Sequence, residues 1–114
     1  MTETMTAERF KQTRGPTIEF TGRQIAFEDF ETKGRDPMLI EMEIWETEAG
    51  NLVARSTASP LDSDGFTDQR AAVIEKQDDE TAMQIAVMDF FAWEHRARKM
   101  VQRQLEWDLT VRVA

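Results

Sequence analysis

The chain has no cysteine, no tyrosine and one histidine in 114 residues. Without cysteine there is no thiolate nucleophile, no disulfide framework and no Cys/His zinc set. The lone imidazole, His95, has no second histidine to share a metal with, and its neighbour Glu94 would face elsewhere on a helix, so no ligand set or catalytic triad is legible. Glycine and proline are scarce too. Gly22, Gly34, Gly50 and Gly65 each stand alone at a turn or bulge, which leaves no phosphate-cradling loop. Wholly apolar runs extend only a few residues, as in Phe90-Phe91-Ala92-Trp93, and the first sixteen residues hold no apolar stretch, so neither a membrane span nor a signal peptide is expected. Absent cysteine fits a cytoplasmic location. No metal, no cofactor and no catalytic residue is predicted.

What is present is charge: 22 acidic residues against 14 basic ones, a formal net charge of −8. Forty per cent hydrophobic residues, with seven Phe and three Trp, still supply a core for one domain. A surface of this sign repels nucleic acid and anionic lipid and attracts basic protein surfaces, so direct nucleic-acid or membrane binding is not expected. The charge is also segregated. Residues 28–48 carry eight acids against Lys33 and Arg35, a net of −6, and residues 62–80 carry seven against Arg70 and Lys76, a net of −5. Residues 94–103 reverse the sign, with Arg96, Arg98, Lys99 and Arg103 against Glu94.

Residues 1–16 are polar and close on Gly15-Pro16, which predicts a flexible N-terminal arm ahead of a single α+β domain over residues 17–114, with one helical turn near Ala7 to Phe10. Ile18 and Phe20 alternate with polar residues, but Ile25 and Phe27 fall on the opposite parity. A bulge at Gly22 would bring both pairs to one face. After the turn at residues 33–37, Met38, Ile40, Met42 and Ile44 alternate with Leu39, Glu41, Glu43 and Trp45. A three-residue loop of Ala49, Gly50 and left-handed Asn51 would pair Glu48 with Leu52 and Trp45 with Arg55, putting Ile44 with Ala54 on one face and Glu43 with Val53 and Arg55 on the other. Residues 71–76 read as a short strand. Asp78 or Asp79 caps a long helix running to about Gln104, and Trp107, Leu109, Val111 and Val113 alternate as a terminal strand. The predicted fold is therefore α+β: an antiparallel sheet of four to five strands built from hairpins, one long helix on one face and a short terminal strand.

On a continuous helix the wide apolar side formed by Met83, Val87, Phe90, Phe91 and Trp93 should lie on the sheet. Ile85, Met88 and Ala92 would then project from the back, followed by Arg96, Lys99 and Arg103, which makes these six a candidate homodimer interface. Glu41, Glu43, Trp45, Glu46, Glu48 and Arg55 form the densest acidic patch on the hairpin and are the candidate partner-binding residues, with Trp45 as anchor. Two carboxylates at i, i+2 also have the spacing for acid–base chemistry, but that spacing is common to every strand. Asp62-Ser63-Asp64-Gly65 departs from a calcium loop at Phe66, Thr67 and Val73 and reads as an Asx turn. In size and charge the chain is similar to small acidic inhibitors such as nucleic-acid mimics, anti-CRISPR proteins and toxin-immunity proteins, an analogy of composition alone. The expected function is non-enzymatic binding to the basic surface of a protein partner, such as part of a nucleic-acid-binding complex; the alternative is a homodimeric assembly module.

Overall fold

The computed structural model describes residues 4–62 and 67–114. Strands β1 (Thr6–Phe10), β2 (Ile18–Glu31), β3 (Met38–Thr47), β4 (Leu52–Pro60) and β5 (Asp68–Ile74) precede helices α1 (Glu80–Phe90) and α2 (His95–Gln104). The strands form one antiparallel sheet in the order β1-β2-β3-β4-β5, so hairpins between sequence neighbours build all of it. The class is α+β with five strands. Among the described residues no helix is long and apolar enough to cross a membrane.

The central strands are covered on both sides. Leu52, Val53 and Ala54 are buried in succession, as are Met42, Glu43 and Ile44, which a sheet with one wet face does not permit. Ala26, Met42, Ile44, Leu52, Ala54 and Ile74 meet Met83, Val87, Met88, Phe91, Ala97, Met100 and Val101 of the helices in the larger core. Across the sheet, Phe10, Val53 and Ala71 form a second core with Ile18, Phe20 and Trp45.

That second core depends on the segment expected as an arm. Instead of a helical turn it contributes edge strand β1, with Phe10 opposite Ile18. The chain then crosses to the far edge: Thr13 N–H donates to the Gln69 carbonyl (2.9 Å), Gln69 N–H to Thr13 Oγ1 (2.7 Å) and Ala71 N–H to Gln12 Oε1 (3.2 Å). Polar composition hides this because Gln12 and Thr13 act as edge partners for β5, not as solvated chain.

Four further expectations are corrected. The bulge lies between Gln24 and Ala26, and it splits the two apolar pairs: Ile18 and Phe20 join the second core, Ile25 packs against the larger one, and Phe27 stays exposed. Gly22 serves a different need, since a Cβ there would stand 2.4 Å from the Glu46 carbonyl oxygen. The β3–β4 loop does hold three residues, but they are Glu48, Ala49 and Gly50: Thr47 N–H donates to the Asn51 carbonyl and Gly50, not Asn51, takes the positive φ of 86°. Pairing is thereby displaced by two residues, giving Glu43 opposite Arg55 and Trp45 opposite Val53. An even displacement keeps every side chain on its face.

The single long helix is two. Asp79 caps α1 as expected, its side chain accepting from Ala82 N–H. The helix then closes through Trp93 N–H to Met88 carbonyl (2.9 Å) and Ala92 N–H to Asp89 carbonyl (3.0 Å), with Ala92 and Trp93 left-handed at φ 53° and 56°. Glu94 starts α2 by accepting from Arg96 N–H (2.6 Å) and Ala97 N–H (3.2 Å). The break turns α2 so that Ala97, Met100 and Val101 share a core with Met88, whose exposure is 0%. Met88 is therefore not on an open back, and a charge there would sit in the core.

No terminal strand forms. Leu105, Trp107 and Leu109 pack on the core while Val111 and Val113 are exposed, so the alternation reports one-sided burial of an extended tail without a ladder partner. Asp108 holds the tail locally. Hydrogen bonds from Thr110, with Arg112 nearby, keep its carboxyl below the usual range.

The helix break gives a substitution with opposite signs in the two geometries. Glycine at exposed Ala92 would cost about 1 kcal/mol inside a continuous helix but stabilise a left-handed residue by roughly 0.5–1 kcal/mol. Ala92→Gly is expected to raise the urea midpoint; a lowered midpoint would restore the single helix.

Candidate protein-binding face

Glu41, Glu43 and Trp45 lie on the sheet face opposite the helices, as expected, but they do not share one environment. Glu43 is a buried carboxylate. Trp45 Nε1–H donates to its Oε1 at 2.6 Å, and Arg55 Nη1 stands 3.8 Å from the same oxygen. The Arg55 guanidinium carbon lies 4.3 Å from the Phe10 ring centroid. Phe10, Phe20 and Trp45 then meet edge to face, with centroids 5.1, 5.8 and 5.7 Å apart. Edge-to-face geometry sets each positive ring edge on a neighbour's negative face.

The expected docking residues Glu43, Trp45 and Arg55 thus pack against β1, and Trp45 is half-buried with its indole N–H already bonded to Glu43. Trp45 also lies opposite Val53, so the cation–π contact expected of it goes to Phe10. Arg55 Nε is buried with no acceptor among the described residues, which leaves the guanidinium served by one carboxylate and one ring. Glu46 points to the other side of β3 and bonds Arg23 at 2.8 Å. Glu48 sits in the exposed β3–β4 turn. Of the six candidate residues, Glu41 is the one placed on the part of this face that β1 does not cover.

The cross-strand register shows which residues join Glu41. Asp29 is directly opposite it, Phe27 is opposite Glu43, and Glu31 is opposite Leu39, so Phe27, Asp29, Glu31 and Glu41 share the face beyond the end of β1. Phe27 is 36% exposed, large for an aromatic ring beside a core. No ion pair among the described residues uses Asp29, Glu31 or Glu41. Carboxylates placed directly opposite one another repel and cost stability, and no cation of the described residues is paired with these. Phe27 and its alignment with Glu41 escape a sequence reading because they depend on the bulge position, which only pairing reveals.

The dimer candidates separate as well. Ile85 is partly buried and Met88 fully so, whereas Ala92, Arg96 and Arg103 are exposed and Lys99 is partly so. Arg96 lies 5.1 Å from the Phe30 ring, and Arg98 5.5 Å from that of Trp93. Of the three apolar members only Met88 is removed from that surface, Ile85 being partly exposed and Ala92 exposed. His95 is exposed at the start of α2, and among the described residues no group of three or more His, Asp or Glu gathers as a metal site. Residues 63–66 of the Asx-turn segment lie outside the described residues. A cleft of about 690 Å³ lies between the start of α1 and the tail, lined by Glu80, Gln84, Trp107, Asp108 and others.

The chain matches no family model, no curated protein and no solved structure.

Removing the buried carboxylate leaves Arg55 and the Trp45 N–H without their acceptor. Glu43→Ala is expected to cost about 1–3 kcal/mol in urea denaturation, below the figure for a fully buried pair because the Arg55 side chain is 25% exposed. This reverses the near-neutral effect that an exposed Glu43 would give. The double variant Glu43→Leu, Arg55→Met should regain most of the loss; a single variant as stable as wild type would show that the pair holds nothing.

Proposed function

We propose that the protein is a non-enzymatic, cytoplasmic binding protein that docks the acid-rich end of its sheet onto a basic surface of a protein partner. One observation carries this reading: Asp29 and Glu41 are held directly opposite each other, beside Glu31 and exposed Phe27, with no cation of the described residues paired to any of the three acids. Like charges at that distance destabilise the free protein and are relieved when a cationic surface covers them. Phe27 supplies an aromatic anchor among carboxylates, the composition in which a partner's arginine finds both a bidentate acceptor and a ring to stack on. The net charge of −8 steers the encounter over a longer range. Inhibition of a basic, nucleic-acid-binding partner is the role this surface would suit.

The test reverses charge in place and elsewhere. Asp29→Lys with Glu41→Lys is expected to weaken capture of the partner by about 1–3 kcal/mol, mainly through slower association, and affinity of the wild type should fall between roughly 50 and 200 mM salt. Glu75→Lys with Asp78→Lys changes net charge equally at another place and should leave most of the affinity intact. Equal losses in the two variants would mean that total charge alone binds, and the face reading would fall.

A further inference from the structure

β2 is far longer than the strand beside it. It spans Ile18–Glu31, while β1 pairs only with residues 18–22, so among the described residues the second half of β2 has no neighbouring strand on that side. The end of α2 marks the resulting edge. Phe27 N–H donates to Gln104 Oε1 at 2.9 Å, and Gln104 Nε2 donates to the Phe27 carbonyl at 2.7 Å. One side-chain amide therefore makes both hydrogen bonds that a strand residue would make.

The register from Ala26 to Glu31 is continuous against β3. Backbone groups in an antiparallel strand alternate direction, so the N–H and C=O of Asp29 and Glu31 point the same way as those of Phe27, away from β3. No described residue bonds them, and both side chains are exposed. The edge thus offers hydrogen-bonding positions at residues 27, 29 and 31, and Gln104 occupies only the first.

We propose that this edge captures an extended, lysine- or arginine-rich segment of a protein partner as an added strand lying end to end with β1. The inference rests on the acidic-face reading and specifies how the partner is held. Exposed strand edges bind extended peptides through main-chain hydrogen bonds, while flanking side chains select the sequence. Here the flanking groups are Asp29 and Glu31 on the edge and Glu41 across from Asp29. Carboxylates on an edge reject acidic strands and make apolar ones desolvate charge, but they complement a basic strand. A cation brought between Asp29 and Glu41 also removes their mutual repulsion.

A synthetic octapeptide of alternating lysine and valine serves as probe, observed by amide hydrogen exchange and by two-dimensional NMR of the whole protein. In the free protein Glu28 and Phe30 amides should exchange slowly and Asp29 and Glu31 amides fast; peptide should protect the latter two. N-methylation of the peptide's pairing nitrogens keeps its charge but removes main-chain donors, and should weaken binding by roughly tenfold or more. Gln104→Ala frees the Phe27 groups and should tighten binding several-fold. Asp29→Pro, which removes the edge donor, should lose more affinity than Asp29→Asn, and retained β3 pairing in the spectrum will show that each variant is folded.

Equal binding of the methylated peptide, with shifts confined to Phe27, Asp29 and Glu41, would overturn edge capture while leaving the acidic face as the docking surface. Protection of the Asp29 and Glu31 amides before any peptide is added would also overturn it, because the edge would already be filled. So would failure of both peptides to bind, and in that case the charge-reversal pair still decides the acidic face separately.

Discussion

The Arg55 guanidinium, held between the Phe10 ring and the Glu43 carboxylate, joins β4 to β1 and to β3. It ties β1 to the middle of the sheet and so makes a second core possible on the face away from the helices. Once that face is covered, the central strands β3 and β4 have no wet side at their turn end. Apolar residues can then follow one another in sequence there, and a charge can remain only if it finds a partner inside. Glu43 and Arg55 are each other's partner; Trp45 completes the carboxylate's needs through its indole N–H. The unserved Arg55 Nε shows that the arrangement is not fully satisfied. Such a pair favours a particular docking of β1 more than it adds to stability, since the desolvation of two largely buried charges offsets most of their attraction.

Much of the sheet was legible in the sequence. The two-residue alternation of β3, the assignment of Ile44 and Ala54 to one face and of Glu43 and Arg55 to the other, and the cap at Asp79 all follow from local pattern. Parity survived a register displaced by two, because parity depends only on whether the displacement is even. The features that were not legible share a cause: each is set by a contact distant in sequence. Phe10 stands alone in polar chain and acquires meaning only from Arg55 and Trp45. The helix break carries no glycine or proline; Ala92 and Trp93 accept left-handed backbone because the Trp93 N–H reaches the Met88 carbonyl and the Trp93 indole reaches Asp89. The terminal residues alternate as a strand does, yet the period measures which side is buried and says nothing about a ladder partner.

The candidate site was legible in charge but not in place. Composition identified an acidic surface on the β2–β3 region, and Glu41 belongs to it. The anchor changed, however. Tryptophan scores highly as an interface residue on composition, but Trp45 has a carboxylate acceptor and two aromatic neighbours inside the protein, and Phe27 is the ring left at the surface. The bulge at Ile25 decides this. It moves Ile25 onto the helix side while leaving Phe27 on the acidic side, so an irregularity of one residue settles which of the two apolar side chains is exposed on that face.

Burial and exposure on this face then follow from a single mismatch of lengths. β1 covers five residues of a fourteen-residue neighbour. Where it lies, the sheet face is aromatic and closed; where it ends, the face becomes acidic, a ring is exposed and backbone groups turn outward unpaired. An edge left open with apolar flanks would invite self-association, and carboxylates at the positions of Asp29 and Glu31 oppose it by like-charge repulsion. In the edge-capture reading the same charges select what could approach. A chain of opposite sign meets hydrogen-bonding groups already aligned in an extended strand, so the cost of ordering falls on the incoming segment alone.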